Sequence, residues 1–331
     1  MSKSLASAPL SRRQATALVA AAALVFATGA GAETWPARPI KLVVGYAPGG
    51  SVDMVARVLA DVLTARLGAT VVVENQPGAA GAVATQRVVS SVADGYTLLA
   101  GTSNEMVATG LVNPAQKYDP QKDLTPIAVV AVAPILLVAS PRSNVKNLDE
   151  FLERVKRQPG KFSYGSSGVG SLQHFAGELI KKRAGVFMTH IPYRSTASLT
   201  SDLVGGVVDF AGLSPTAAAP FLQSGRLVPL GVTSAARLPG LPQVPALGEH
   251  PLLKGYELSG WFALAAPRNL PAEITQRIRV AVQAGLQDPA VRRRLEEGGA
   301  YATSGKEDMA RMMREDMTKY GALVKFANMR E

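Results

Sequence analysis

The chain has 331 residues, 47% of them hydrophobic and 18% charged, with a net charge of +10 and no cysteine. This describes a globular protein long enough for two ordinary domains and excludes a disordered chain. The lack of cysteine excludes disulfides, thiolate metal sites and lipid attachment through an N-terminal cysteine, while the basic excess favours an anionic partner.

Residues 1–32 read as a secretory signal that is removed. Lys3, Arg12 and Arg13 form a positive n-region, residues 17–27 an apolar h-region, and Ala30-Gly31-Ala32 a small-residue cleavage site. A membrane span would need about 20 apolar residues, so cleavage is favoured over an anchor. Ser11-Arg12-Arg13-Gln14 hints at a twin-arginine signal, but Ala15 and Thr16 stand where a bulky apolar pair is wanted, which favours an ordinary n-region. Removal takes three basic and no acidic residues, lowering the net charge from +10 to +7.

Ile40–Val44 is short, β-branched and bounded by glycine, the pattern of a buried parallel strand. A glycine turn follows, then a helix over 54–67 with Val52, Val55, Leu59, Val62 and Leu63 on one face, ending at Gly68. Strands are expected at 70–73 and 97–100, with a helix opening at 76–81 between them. Such alternation implies a parallel, doubly wound sheet. Residues 127–139 form an apolar run broken by Pro134, read as a strand leaving one lobe and entering a second. The second lobe would hold a helix over 148–157, strands at 162–164, 188–192 and 207–212, and helices over 172–182 and 197–204. Residues 227–233 are read as the return crossing. A strand at 261–265 and helices over 272–286, 290–297 and 306–327 complete the chain. The expected division is therefore 33–133 and 229–331 for the first lobe and 134–228 for the second, a hinge-bending arrangement.

Two segments repeat one design of strand, glycine-rich turn and helix. The first turn is Gly45-Tyr46-Ala47-Pro48-Gly49-Gly50-Ser51, and the second Ser166-Ser167-Gly168-Val169-Gly170-Ser171. Each aims backbone N–H groups and a helix N-terminus at whatever sits above it, which suits an anion held between two lobes. The first is no P-loop, because no Gly-Lys-Ser/Thr follows. Pro48 fixes the turn, Gly49 and Gly50 admit a ligand to the backbone, and Ser51 is a natural N-cap. Asp53 suits the first helical turn, yet would repel an anion unless it bonds water, a ligand amine or the opposite lobe. Taken alone, this turn reads equally as a tight strand-to-helix connection. The second turn adds hydroxyl donors. His174 could face the ligand or pack beside Phe175.

His174, His190 and His250 lack metal spacing, so neither a metal nor a cofactor is expected. No nucleophile elbow exists. Ser171 and His174 lie one helical turn apart, so a serine hydrolase is an alternative, although capping or ligand binding explains both residues. Lys181-Lys182-Arg183 and Arg292-Arg293-Arg294 fall late in helices, where they complement the dipole, and lack interleaved aromatics; nucleic acid is not an expected partner.

At these residues the chain resembles the tripartite tricarboxylate transporter receptors, the Bug-type periplasmic solute-binding proteins. The resemblance rests on Tyr46-Ala-Pro-Gly-Gly-Ser-Val-Asp-Met-Val-Ala-Arg57, Val73-Glu-Asn-Gln-Pro-Gly78, Asp94-Gly-Tyr-Thr-Leu-Leu99 and Tyr164-Gly-Ser-Ser-Gly-Val-Gly-Ser-Leu-Gln-His-Phe-Ala-Gly-Glu178. His190-Ile-Pro-Tyr-Arg194, Asp202-Leu203, Gly206-Val-Val-Asp209, Ser224-Gly-Arg-Leu227 and Trp261-Phe262 follow in family order, so the likeness spans about residues 35–327.

The resemblance implies a type II periplasmic-binding-protein fold: two Rossmann-like α/β lobes around a central ligand cleft with two hinge crossings. It implies a monomeric periplasmic receptor, not an enzyme, that captures an organic carboxylate and delivers it to membrane permease subunits; a ligand-sensing module signalling through a membrane partner is the alternative. Carried onto matching positions, it nominates Tyr46, Ala47, Pro48, Gly49, Gly50, Ser51 and Asp53 from the first lobe. From the second come Ser166, Ser167, Gly168, Gly170, Ser171 and His174, with Tyr193 and Ser195. Thr102, Ser103, Asn104, Ser214 and Pro215 are expected to line the cleft and set specificity. Four positions depart from the family pattern: Ser195 replaces glycine, Tyr46 a phenylalanine, Ala82 an asparagine or threonine, and Glu105-Met106 a histidine and an apolar residue. Ser195 and Glu105-Met106 are expected to face the cleft, so no relative's ligand transfers to this chain.

Overall fold

A computed structural model describes residues 35–113 and 116–330, so the expected signal segment lies outside the described residues. In chain order the strands are β1 (Ile40–Val44), β2 (Val71–Asn75), β3 (Thr97–Thr102), β4 (Leu124–Pro134), β5 (Leu136–Ala139), β6 (Ser163–Ser166), β7 (Thr189–Pro192), β8 (Phe210–Leu213), β9 (Val228–Val232), β10 (Ser259–Pro267) and β11 (Tyr301–Ala302). The longer helices are α1 (Ser51–Leu67), α2 (Ala82–Val89), α3 (Leu148–Arg157), α4 (Leu172–Ala184), α5 (Thr196–Gly205), α6 (Pro215–Gln223), α7 (Ala272–Leu286), α8 (Pro289–Glu297) and α9 (Met309–Ala327).

The strands form two sheets, a six-stranded one in the order β11-β4-β10-β3-β1-β2 and a five-stranded one in the order β7-β6-β8-β5-β9. β1 lies between β3 and the edge strand β2 of the first, with Ile40, Leu42, Val43 and Val44 fully buried. α1 covers it with Val52, Val55, Leu59, Val62 and Leu63, all buried, each contributing about 1.5–3 kcal/mol relative to exposure. The helix ends at Gly68 in the left-handed conformation, its N–H bonded to Thr64 O.

The expectation of parallel sheets is met only in part. β2-β1-β3 and β7-β6-β8 are parallel, joined through helices. β10 runs antiparallel to β3 and β4, and β5 antiparallel to β8 and β9. β5 and β10 are the strands that arrive from the other sheet, so no right-handed helical crossover sets their direction.

The apolar run over 127–139 does cross between sheets: β4 belongs to the first and β5 to the second, with only Ile135 between them. The return comes later than expected. β9 pairs with β5 and is an edge strand of the second sheet, so the chain returns between Val232 and β10. Thr233 ties the two crossings together. Its hydroxyl accepts from Ile135 N at 2.8 Å, its N–H donates to Ile135 O at 2.9 Å, and its carbonyl accepts from Leu258 N at 2.9 Å.

α9 reaches both sheets. Tyr320 stacks on Phe175 of α4 at 4.6 Å, while Asp316 accepts from Trp261 Nε1 of β10 at 2.8 Å. No described helix is long and apolar enough to cross a membrane. Most members of the two basic clusters have intramolecular work: Lys181 bonds Glu178, Arg183 the Lys254 and Gly255 carbonyls, Arg292 the Leu286 and Thr303 carbonyls, and Arg294 Asp61.

Candidate functional site: a cleft between the two sheets

A cavity of about 500 Å³ opens where the two sheets meet. One wall carries Tyr46, Ser51, Thr102, Ser103 and Asn104; the other carries Ser167, Gly168, Gly170 and Ser171. The structure thus brings together nine of the residues singled out in the sequence, from three separated segments.

The first wall begins with the loop after β1. Gly49 adopts φ +86°, which only glycine tolerates readily, and its N–H donates to Asp53 Oδ2 at 2.9 Å. Asp53 is buried and also accepts from Arg57 Nε at 2.9 Å and Nη2 at 3.0 Å and from Asn75 Nδ2 at 2.9 Å. The Arg57 guanidinium, helped by Gly49 N–H and Asn75, holds its carboxyl down at about 2. Asp53 is therefore a brace that shapes the loop from behind, and it is not part of the cavity wall. Ala47, Pro48, Gly49 and Gly50 form an exposed rim beside the cavity. Gly50, not Ser51, is the N-cap of α1, and no side chain caps this helix. Ser51 and Val52 in its first turn line the cavity, where the unpartnered N–H groups of a helix N-terminus attract an anion.

The opposite loop is built differently. Ser171 caps α4: its hydroxyl accepts from His174 N at 3.3 Å and donates to Gly168 O at 2.8 Å. Gly170 N–H donates to His174 Nδ1 at 3.2 Å, and Ser166 Oγ lies 2.6 Å from His190 Nε2. Ser167 Oγ donates to Gln173 Oε1 at 2.9 Å. Ser166 and His174 are buried beneath the loop, not on the cavity wall. The two imidazoles stack at 3.7 Å, above Tyr164, whose hydroxyl donates to Glu178 Oε1 at 2.5 Å. Burial drives both histidines down to about 4, with the Lys181 charge adding to the effect on His174 and the His174 ring to that on His190. The Ser171 hydroxyl and the His174 ring are not bonded to each other, so the pairing a serine hydrolase needs is absent at these two residues.

The remaining expectations divide. Tyr193 is half-buried, with its hydroxyl on Asp202 at 3.0 Å, and Ser195 is the exposed N-cap of α5; its neighbour Thr196 reaches the cavity instead. Ser214 and Pro215 start α6, where Ser214 caps the helix, and neither lines the cavity. Sequence reading missed α6 altogether, although Ser-Pro is a strong helix start. It also missed the hinge strands' share of the wall: Ala133 of β4 and Gly260, Trp261 and Phe262 of β10. Trp261-Phe262 was visible as a block, but its place at the crossing was not.

Glu105 does not face the cleft. Together with Met106 it is fully buried, on a π-wound segment (Asn104–Ala108) just behind the first wall. Its carboxyl accepts from Thr102 N at 2.7 Å, Thr102 Oγ1 at 2.5 Å and Tyr46 Oη at 2.9 Å. The space it occupies exists because two neighbours lack side chains: a Cβ on Gly81 would lie 3.0 Å from Glu105 Cδ, and one on Gly101 2.8 Å from Oε1.

With two sheets, a cleft and two glycine-turn helix starts in view, comparison with known proteins becomes informative. The family described as tripartite tricarboxylate transporter family receptor matches residues 55–329. The chain belongs to this family. The receptor is 34% identical over 299 residues to Protein BugT of Bordetella pertussis strain Tohama I, covering 89% of this chain and 90% of that protein. Among solved structures it resembles Rpa4515 of R. palustris with adipate, at 33% identity and a TM-score of 0.77, covering 89% of this chain and 99% of the other. It also resembles MatC of Rhodopseudomonas palustris with bound malate, at 30% identity and a TM-score of 0.73, covering 88% and 100%. The fold of this receptor is thus the two-lobed α/β fold of periplasmic binding proteins, and the carboxylate ligands named are those of its relatives.

Proposed function

We propose that this receptor captures a small organic carboxylate between the two lobes in the periplasm and delivers it to the permease subunits of a tripartite tricarboxylate transporter. One observation carries the reading: the uncapped N-terminus of α1 and the 167–171 loop, from different sheets, share one cavity. A carboxylate placed there receives N–H donors from both sides, so binding favours the closed arrangement of the lobes. Backbone donors in a water-poor cleft hold an anion without a cationic side chain. Adipate and malate in the two related structures support a carboxylate as the ligand class. The lobes are 38–134 with the chain from β10 onward, and 136–232, hinged at Ile135 and Thr233. The protein acts as a monomer and performs no chemistry on its ligand. Export follows from cleavage after Ala32.

Micromolar affinity requires about 8 kcal/mol. A thermal-shift panel of aliphatic, aromatic and amino-acid carboxylates on ligand-stripped receptor tests the binding step. A ligand at about 100 times its Kd adds about 2.7 kcal/mol of stability, enough to raise Tm visibly. A flat panel on folded protein removes the carboxylate reading. Delivery is tested separately, by uptake into vesicles carrying the permease with and without the receptor.

A further inference from the structure

The cleft is asymmetric in hydrogen-bond polarity, and Glu105 is the cause. At one side the first turn of α1 offers N–H donors. On the same wall stand Tyr46 and Thr102, whose hydroxyls sit on the Glu105 carboxylate at 2.9 and 2.5 Å. Each hydroxyl has a single hydrogen. Tyr46 has two other protein acceptors within reach, Ala80 O at 3.2 Å and Thr102 Oγ1 at 3.4 Å, so in each arrangement its hydrogen stays within the protein. Thr102 Oγ1 also accepts from Asn104 N at 3.1 Å. Toward the ligand these oxygens present lone pairs.

Glu105 has no cationic partner: among the described residues it forms no salt bridge, and the groups that face it are Tyr46, Thr102 and the Tyr118 hydroxyl, which donates to Glu105 O at 2.8 Å. Burial raises the Glu105 carboxyl above its ordinary range, against the Thr102 and Tyr46 hydrogen bonds that favour its ionised form; in that form it sets a negative charge one layer behind this part of the wall. A second ligand carboxylate placed there would meet acceptors and a like charge, whereas an ammonium would meet both favourably.

Accepting the carboxylate-receptor reading, on which this rests, we propose that Glu105 is a positioning residue that makes the receptor select a carboxylate carrying a cationic amino group over a plain dicarboxylate. It acts through the hydroxyls of Tyr46 and Thr102. Replacing Glu105 by glutamine puts an amide NH₂ behind the wall, which displaces the hydroxyl hydrogens from the carboxylate and frees one to turn toward the ligand. Acidification has the same effect, because a protonated Glu105 becomes a donor itself.

The experiment is calorimetric titration of the ligand-stripped receptor with two ladders of ligands matched in chain length, ω-amino carboxylates and α,ω-dicarboxylates. The quantity read is the ratio of the two Kd values within each protein. At neutral pH the unmodified receptor should favour the best amino member by about tenfold or more, and the ratio should shrink toward unity in Glu105→Gln and on acidification. Tyr46→Phe removes one acceptor directly and should shrink the ratio too, which keeps the test open if the buried Glu105→Gln chain does not fold. Equal or reversed preference in the unmodified receptor overturns the inference and leaves the receptor reading standing. A preference that survives in both variants overturns the assignment to Glu105. Binding by neither ladder, with the wider carboxylate panel also flat, overturns the receptor reading and this inference with it.

Discussion

The two glycine turns of the cleft are near copies in sequence and opposites in construction. After β1, the loop is braced from outside by Asp53 while the helix it feeds has no side-chain cap. After β6, the loop is tied by its own serines, Ser171 caps its helix, and a group of buried Tyr164, His174 and Glu178 with half-buried His190 supports it. The difference teaches that a strand–glycine–helix pattern is not itself an anion cradle. What decides is whether the helix N-terminus is already satisfied by a side chain. By that criterion the N-terminus of α1 is the open one and that of α4 is already engaged by Ser171.

The largest effect should come from the support beneath the second turn. His174 and His190 are held neutral, down to about 4 from an ordinary 6.5. The unfolded chain therefore binds more protons than the folded one between these values. Stability from this pair is complete above 6.5 and is lost as pH falls toward 4, by about 3 kcal/mol per histidine. Chemical denaturation across this window should show it, with the slope roughly halved in His190→Gln. A flat profile would mean the stacked rings are charged or exposed.

Next comes the brace of the first turn. Asp53→Ala leaves Asn75 and Gly49 N–H without their acceptor and should cost about 2 kcal/mol. Binding should weaken with it, because the loop that presents α1 is released. For the ionised brace the sign is the same but the origin differs: a carboxyl held at about 2 by its partners contributes stability above its ordinary 3.8 and loses it as pH falls through about 2.

Smaller still is the pair of cap exchanges that contrasts the two helices directly. Ser171→Ala removes the α4 cap and should cost about 1 kcal/mol in urea melts. Gly50→Ser gives α1 the cap it lacks; Gly50 has φ −81° and an added Cβ would meet only Ala47 O at 3.7 Å. Stability should rise by a few tenths of a kcal/mol. Ligand affinity should nevertheless fall by about fivefold, since the new hydroxyl competes for the same N–H groups. Unchanged affinity in Gly50→Ser would remove α1 as the binding end.

Much of this fold was legible in the sequence, and the failures have physical reasons. Buried strands such as Ile40–Val44 and amphipathic helices such as α1 announce themselves by local pattern. β9 was misassigned because its partner, β5, lies about 90 residues away, and no local signal tells an edge strand from a crossing. The mixed strand directions were hidden for the same reason. In the site, the backbone turns were readable because glycine, proline and serine encode their own conformations. The roles of Asp53, His174 and Glu105 were not, since each depends on partners such as Asn75, His190 and Tyr46 that only folding brings within reach. Ser214 was taken for a cleft residue where it is a helix cap, two uses that a serine before a helix shares.

The most direct test of the account is a structure of the receptor with the tightest ligand of the carboxylate panel. The account predicts a ligand carboxylate oxygen within about 3 Å of the N–H groups in the first turn of α1, with the 167–171 loop closed over it and no lysine or arginine touching the anion. A carboxylate held instead by a cationic side chain, or seated away from α1 altogether, would contradict it.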